Sequence, residues 1–200
     1  MPNLTTALIF RANYEVATQY LSAYLQSVVD KAKAAGWNVI DLMGADATQT
    51  KFFDSLQVND PLLVIAGGHG NETGFFGQSD QQILAACTND EVMSGRQGIF
   101  SSCSVGVQLG PDMVDKKAQW FAGWRADYIF CYEEGAELLE DTIAKPFMEC
   151  LIQPALTRIA GGGPSDIYYA TINKFNSEIA KLWNSADPAA QEQISYLIHD

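Results

Sequence analysis

Short apolar runs alternate along this chain with longer stretches of helical period. Leu8-Ile9-Phe10 reads as a buried strand, and Asn13 can cap the helix that follows. There Ala17, Tyr20, Leu21, Tyr24, Leu25, Val28 and Ala32 share one stripe, and Gly36 closes the helix. Trp37 to Leu42 is a second strand; Asp46 or Thr48 then starts a helix with Phe52, Phe53 and Leu56 on its core face. After the Asn59-Asp60-Pro61 turn, Leu62 to Ala66 is a third strand. Residues 71–78 form a glycine-punctuated loop with room for a small hairpin, and Asp80 to Cys87 reads as a helix burying Ile83 and Leu84. Gly98 to Ser102 is a fourth strand, and Leu109, Met113 and Val114 mark a helix after it.

Trp120 to Trp124 and Tyr128 to Tyr132 are two further strand-like runs. Ala136 to Ala160 reads as mostly helical, kinked or broken at Pro146 and Pro154. Gly161-Gly162-Gly163-Pro164 ends it; Ser165 or Asp166 caps a helix with Ile167, Ala170, Ile172, Phe175, Ile179 and Leu182 on one face. Asp187-Pro188 caps a last short helix to Ile198. Strands alternating with helices predict one parallel, doubly wound α/β sheet, and 200 residues fit one domain, 1–200, with a helical C-terminal part from about residue 136.

Composition narrows the function classes. The 48% apolar and 18% charged content is that of a globular chain. A net charge of -12 argues against nucleic-acid binding, which draws on phosphate neutralisation. No apolar run is long enough to span a bilayer, and Met1 to Phe10 lacks a signal-peptide pattern, so no membrane association is expected. Cys87, Cys103, Cys131 and Cys150 form no CxxC pair; Cys87 reads as packing, Cys131 and Cys150 as buried thiols, and the expected compartment is the reducing cytoplasm. With only His69 and His199, no metal site is expected, and Gly67-Gly68-His69-Gly70 lacks the spacing of a nucleotide loop, so no cofactor is expected either.

Two strands end in useful chemistry. Val64-Ile65-Ala66 runs into Gly67-Gly68-His69-Gly70, and Ile99-Phe100 into Ser101-Ser102-Cys103-Ser104. Reacting groups in parallel sheets sit beyond the carboxyl ends of the strands, and neighbouring strands lie about 4.8 Å apart. An imidazole on one strand end can therefore activate a thiol on the next, because the thiolate is the nucleophile and His titrates near neutral pH. Ser104-Val105-Gly106 also suits an approach to a helix N-terminus, which would lower the thiol pKa further. The N–H groups of Gly70 and Cys103 are the candidate oxyanion donors. Against this stands a plain reading in which His69 lies in a polar loop and Cys103 is a small buried hydrophobe.

Gly68-His69-Gly70 and Ser102-Cys103-Ser104, with the linking Gly74-Phe75-Phe76-Gly77, Leu109-Gly110 and Ala118 to Trp124, resemble the caspase-hemoglobinase fold of cysteine peptidases. That group holds caspases, metacaspases, legumains, gingipains, separases and bacterial CHAT domains. The resemblance spans about residues 4–132. It implies three layers, with helices on both faces of a mostly parallel sheet of about six strands. It further implies hydrolysis of peptide or protein substrates through a thioester, His69 acting as base then acid and Cys103 as nucleophile.

On the same resemblance, Arg11 would line a pocket for an acidic or amide P1 side chain, whereas Glu133 and Glu134 would accept a basic one. Ser101-Ser102 stands where caspases have Gln-Ala, and the helices of residues 136–199 have no assigned counterpart. They could cover the sheet or meet a partner, either a second copy or a regulatory protein. The competing readings are an inactive or regulatory caspase-like module acting by protein binding, and a non-peptidase Cys hydrolase on a flavodoxin-like sheet.

Overall fold

A computed structural model describes residues 3–186 and 188–199. Eight strands run in chain order: β1 (Asn3–Arg11), β2 (Asn38–Met43), β3 (Pro61–Gly67), β4 (His69–Gly70), β5 (Gly74–Phe76), β6 (Gln82–Ala85), β7 (Gln97–Ser101) and β8 (Trp120–Gly123). The helices are α1 (Val16–Ala34), α2 (Gln49–Asn59), α3 (Leu109–Asp115), α4 (Lys145–Ile159), α5 (Pro164–Trp183), α6 (Pro188–Glu192) and α7 (Ile194–His199).

The main sheet is parallel throughout and has five strands in the order β2-β1-β3-β7-β8. Its alternating side chains feed two cores. Ala7, Ile9, Leu63, Ile65 and Ile99 face α1 and α4; Leu8, Phe10, Val64, Ala66 and Phe100 face α2, α3 and a small antiparallel sheet, β4-β5-β6. Central strands buried on both faces explain the unbroken apolar run of β3, every residue of which is buried. Arg11 is level with Gly67, and Gly67 with Ser101, so β1, β3 and β7 end in one row. The chain turns outward from β1 in both directions, and that row is the rim of the resulting switch point.

Three expected elements are corrected. Residues 80–87 contain a strand, β6, not a helix: Ser79 and Asp80 have φ of 53° and 58°, which no helix can propagate through. A four-residue apolar run carries no period long enough to separate the two. Residues 128–132 form no strand, so the sheet has five members and not six. The alternation of Tyr128, Phe130 and Tyr132 is real, but it serves helices: Phe130 and Tyr132 pack on Tyr20 of α1, and the Tyr128 hydroxyl donates to the Phe147 carbonyl of α4. The long C-terminal helix begins only at Lys145, with Pro146 in its first turn, where a missing N–H costs nothing; Pro154 sits inside it, buried.

The caps differ in detail. Glu15, not Asn13, caps α1, accepting from the N–H groups of Thr18 and Ala17. Gly36 takes the left-handed φ of 85° that ends α1. Thr48 caps α2, with Asp46 in a preceding 3-10 turn. Gly163 precedes α5, and Asp166 accepts its N–H. Asp187, the expected cap of the last helical segment, lies outside the described residues. No helix among the described residues is long and apolar enough to cross a membrane.

Candidate functional site

Three loops leave the shared rim. The first follows β1 and carries Tyr14 and Glu15; the second follows β3 and carries His69 and Gly70; the third follows β7 and carries Cys103. Gly70 packs against the third loop. A Cβ built on it would lie 2.5 Å from the Cys103 carbonyl oxygen and 2.9 Å from the Ser102 Cβ. The His-Gly and Ser-Cys segments are thus in backbone contact, and only a glycine fits between them.

Glu15 joins the site although the strand-end pattern does not mark it. Its carboxylate caps α1 and also lies 3.2 Å from His69 Nε2. Burial pushes this carboxyl up, but the N–H groups of Thr18 and Ala17, the Thr18 hydroxyl and nearby His69 outweigh that and hold it below its ordinary range. Of the two ring nitrogens it is Nε2 that faces Glu15. The Tyr14 ring meets the imidazole edge-on at 6.1 Å, and its hydroxyl donates to Asp80. The Glu-x-x-Thr pairing at residues 15–18 signals a cap in sequence, but not what the carboxylate faces across the rim.

Cys103 is half-buried. Cys103 does not itself open α3, because turn residues run from 103 to 108 before that helix begins. A backbone amide from another segment meets its sulfur: Tyr128 N–H donates to Sγ at 3.4 Å, and Sγ–H faces the Tyr128 carbonyl at 3.9 Å. Ser104, at φ 55°, donates its N–H to the Ala126 carbonyl and its hydroxyl to Asp127, while Gly106 N–H donates to the Trp124 carbonyl. Those bonds draw residues 124–128 across the thiol loop.

Arg11 is corrected. It is 3% exposed, and its guanidinium donates to both Asp41 oxygens, to the Ser22 carbonyl and to Gln26. Four of its N–H groups are committed inside the fold, so it lines no open pocket. Glu133 and Glu134 are exposed on a turn at the far end of the 124–133 segment. Cys150 is buried and Cys131 half-buried, but Cys87 is exposed and not packed. Among the described residues no group of three His, Cys, Asp or Glu side chains is placed to hold a metal ion.

A hollow of about 990 Å³ runs along the outer edge of β8 between α3 and α5, and reaches Ser101, Gly106 and Trp124 beside the thiol loop. Val114, Phe121, Trp124, Ile172, Phe175 and Ile179 line it.

No family model matches the chain, and no curated protein matches it. Among solved structures, the Arg-specific cysteine proteinase gingipain R is similar, with a TM-score of 0.57 and 13% identity. The match covers 96% of this chain and 44% of that one, so this chain spans less than half the length of gingipain R. At that identity the likeness shows the fold: a five-stranded, parallel α/β sheet of the caspase-like kind.

Proposed function

We propose that the chain is a cysteine peptidase that cleaves peptide bonds with Cys103 as nucleophile and His69 as base. The observation that carries this reading is the backbone contact of Gly70 with the Ser102-Cys103 segment, at the rim where β3 and β7 end side by side. His69 takes the Cys103 proton, and the thiolate attacks the scissile carbonyl. The oxyanion forms against the N–H groups of Gly70 and Cys103. His69 then gives its proton to the leaving amine, and water, deprotonated by His69, releases the acyl group from sulfur. Glu15 orients the imidazole and stabilises its charged form.

The chemistry around the thiol favours a basic P1 side chain. Arg11 is spent inside the fold, whereas Asp127 stands bonded to the thiol loop and Glu133 and Glu134 lie exposed along the same segment. The gingipain R match points the same way, since that proteinase is Arg-specific.

Cleavage profiling against a peptide library tests the reading. Cys103→Ala and His69→Ala are each expected to lower turnover by about a thousandfold or more while the protein stays folded. A peptide-based thiol electrophile should modify Cys103 in preference to Cys87. Undiminished turnover in either variant overturns the pair.

A further inference from the structure

We propose that Asp141 is a positioning residue that holds the 126–133 segment so that Tyr128 N–H stays on the Cys103 sulfur; this rests on Cys103 being the nucleophile. The segment lacks regular structure, so no ladder of hydrogen bonds fixes its path. Its near end is tied by Ser104 to Ala126 and Asp127. Its far end is tied by Glu133 N–H, which donates to Asp141 Oδ2 at 2.9 Å. Between the ties, the Phe130 and Tyr132 rings rest on Tyr20, whose hydroxyl donates to the same Oδ2 at 2.5 Å.

Asp141 is 1% exposed, and its other oxygen accepts from the N–H groups of Ile143 and Ala144 at 2.8 and 3.0 Å. Four donors thus converge on one buried carboxylate, drawn from α1, the segment itself and the turn leading into α4. Nothing in the catalytic reading uses this anion. Its geometric effect is to lock three elements together at the end of a strap whose other end carries the sulfur's amide donor.

That donor matters because an amide N–H aimed at sulfur stabilises thiolate over thiol. When the proton leaves, the Sγ–H to Tyr128 carbonyl contact is lost and the N–H contact strengthens. The titratable and charged groups that bear on Cys103 include His69, with Glu15 behind it, and Tyr128 and Asp127 of the strap; those around Asp141 include Tyr20 and Tyr24 of α1 and Tyr132 and Glu133 of the strap. Loosening the far end of the strap removes one donor from the sulfur, while Ser104 still holds Asp127 at the near end.

The test is the pH dependence of iodoacetamide alkylation at Cys103, read site by site by mass spectrometry on the full chain. Asp141→Asn is expected to move the profile to higher pH by about one unit, so that alkylation at neutral pH slows roughly tenfold. Tyr20→Phe keeps the ring and removes only its hydroxyl. It is expected to shift the profile in the same direction by less, and it decides the matter if Asp141→Asn does not fold. Superimposed profiles in folded variants overturn the positioning role and leave the nucleophile standing. Alkylation needs no peptide turnover, so a chain that shifts as expected yet cleaves no peptide overturns the peptidase reading alone. A wild-type sulfur that resists alkylation across the range overturns the thiol chemistry that both share.

Discussion

The rim at β3 and β7 and the outer edge of β8 border the same sheet and gather opposite kinds of side chain. At the rim polar groups are bonded to one another: Glu15 to the α1 amides and to His69, Ser104 to Asp127, Tyr128 N–H to sulfur. At the β8 edge the space is about 990 Å³ and its walls are aliphatic and aromatic. Volume measures how much apolar surface the helices fail to cover. Chemistry needs groups that converge and are held, and here those gather at the rim and not along the apolar wall.

Substitutions on the two sides should separate them. Gly70→Ala is the sharpest, since its methyl would meet a backbone carbonyl at 2.5 Å and must displace the thiol loop. Steady-state kinetics should show a loss of about a hundredfold or more. Arg11→Met leaves Asp41 without its buried partner, and denaturant unfolding should show a cost of about 3 kcal/mol. Its folded fraction should keep the wild-type P1 preference, whereas an altered preference would return Arg11 to the pocket.

Glu15→Gln keeps the shape and removes the charge beside His69; turnover should fall about tenfold, because the imidazole loses the anion that orients it. Because the fold holds the Glu15 carboxyl below its ordinary range, its contribution to stability is present above the unfolded pKa, near 4, and is lost as pH falls through the lowered value. An acid titration of unfolding should therefore be less steep in Glu15→Gln than in wild type. At the β8 edge, Ile172→Ser touches a partly exposed wall and should leave turnover unchanged and stability within about 0.5 kcal/mol. A clear loss of turnover there would tie the hollow to the active site and erase the contrast.

Much of the frame was legible from local pattern. The five paired strands, the helices between them and the two strand ends carrying His69 and Cys103 follow from apolar runs and breakers that act over a few residues. The pattern failed where the period was right but the partner was not adjacent in sequence. Tyr128, Phe130 and Tyr132 alternate as a strand would, yet they are buried by α1 and α4. Ile83 and Leu84 were too few to show a period, and two left-handed residues before them decided for β6.

Which side chains end the strands is written locally, because side-chain period and turn chemistry are properties of neighbours along the chain. What surrounds them depends on how distant parts of the chain pack together. Arg11 turned inward because Asp41 lies one strand away, in β2, and pairs with it there. Glu15 reached His69, and Tyr128 reached the sulfur, because contacts across 54 and 25 positions of chain are fixed by how the layers close, a quantity no local window contains.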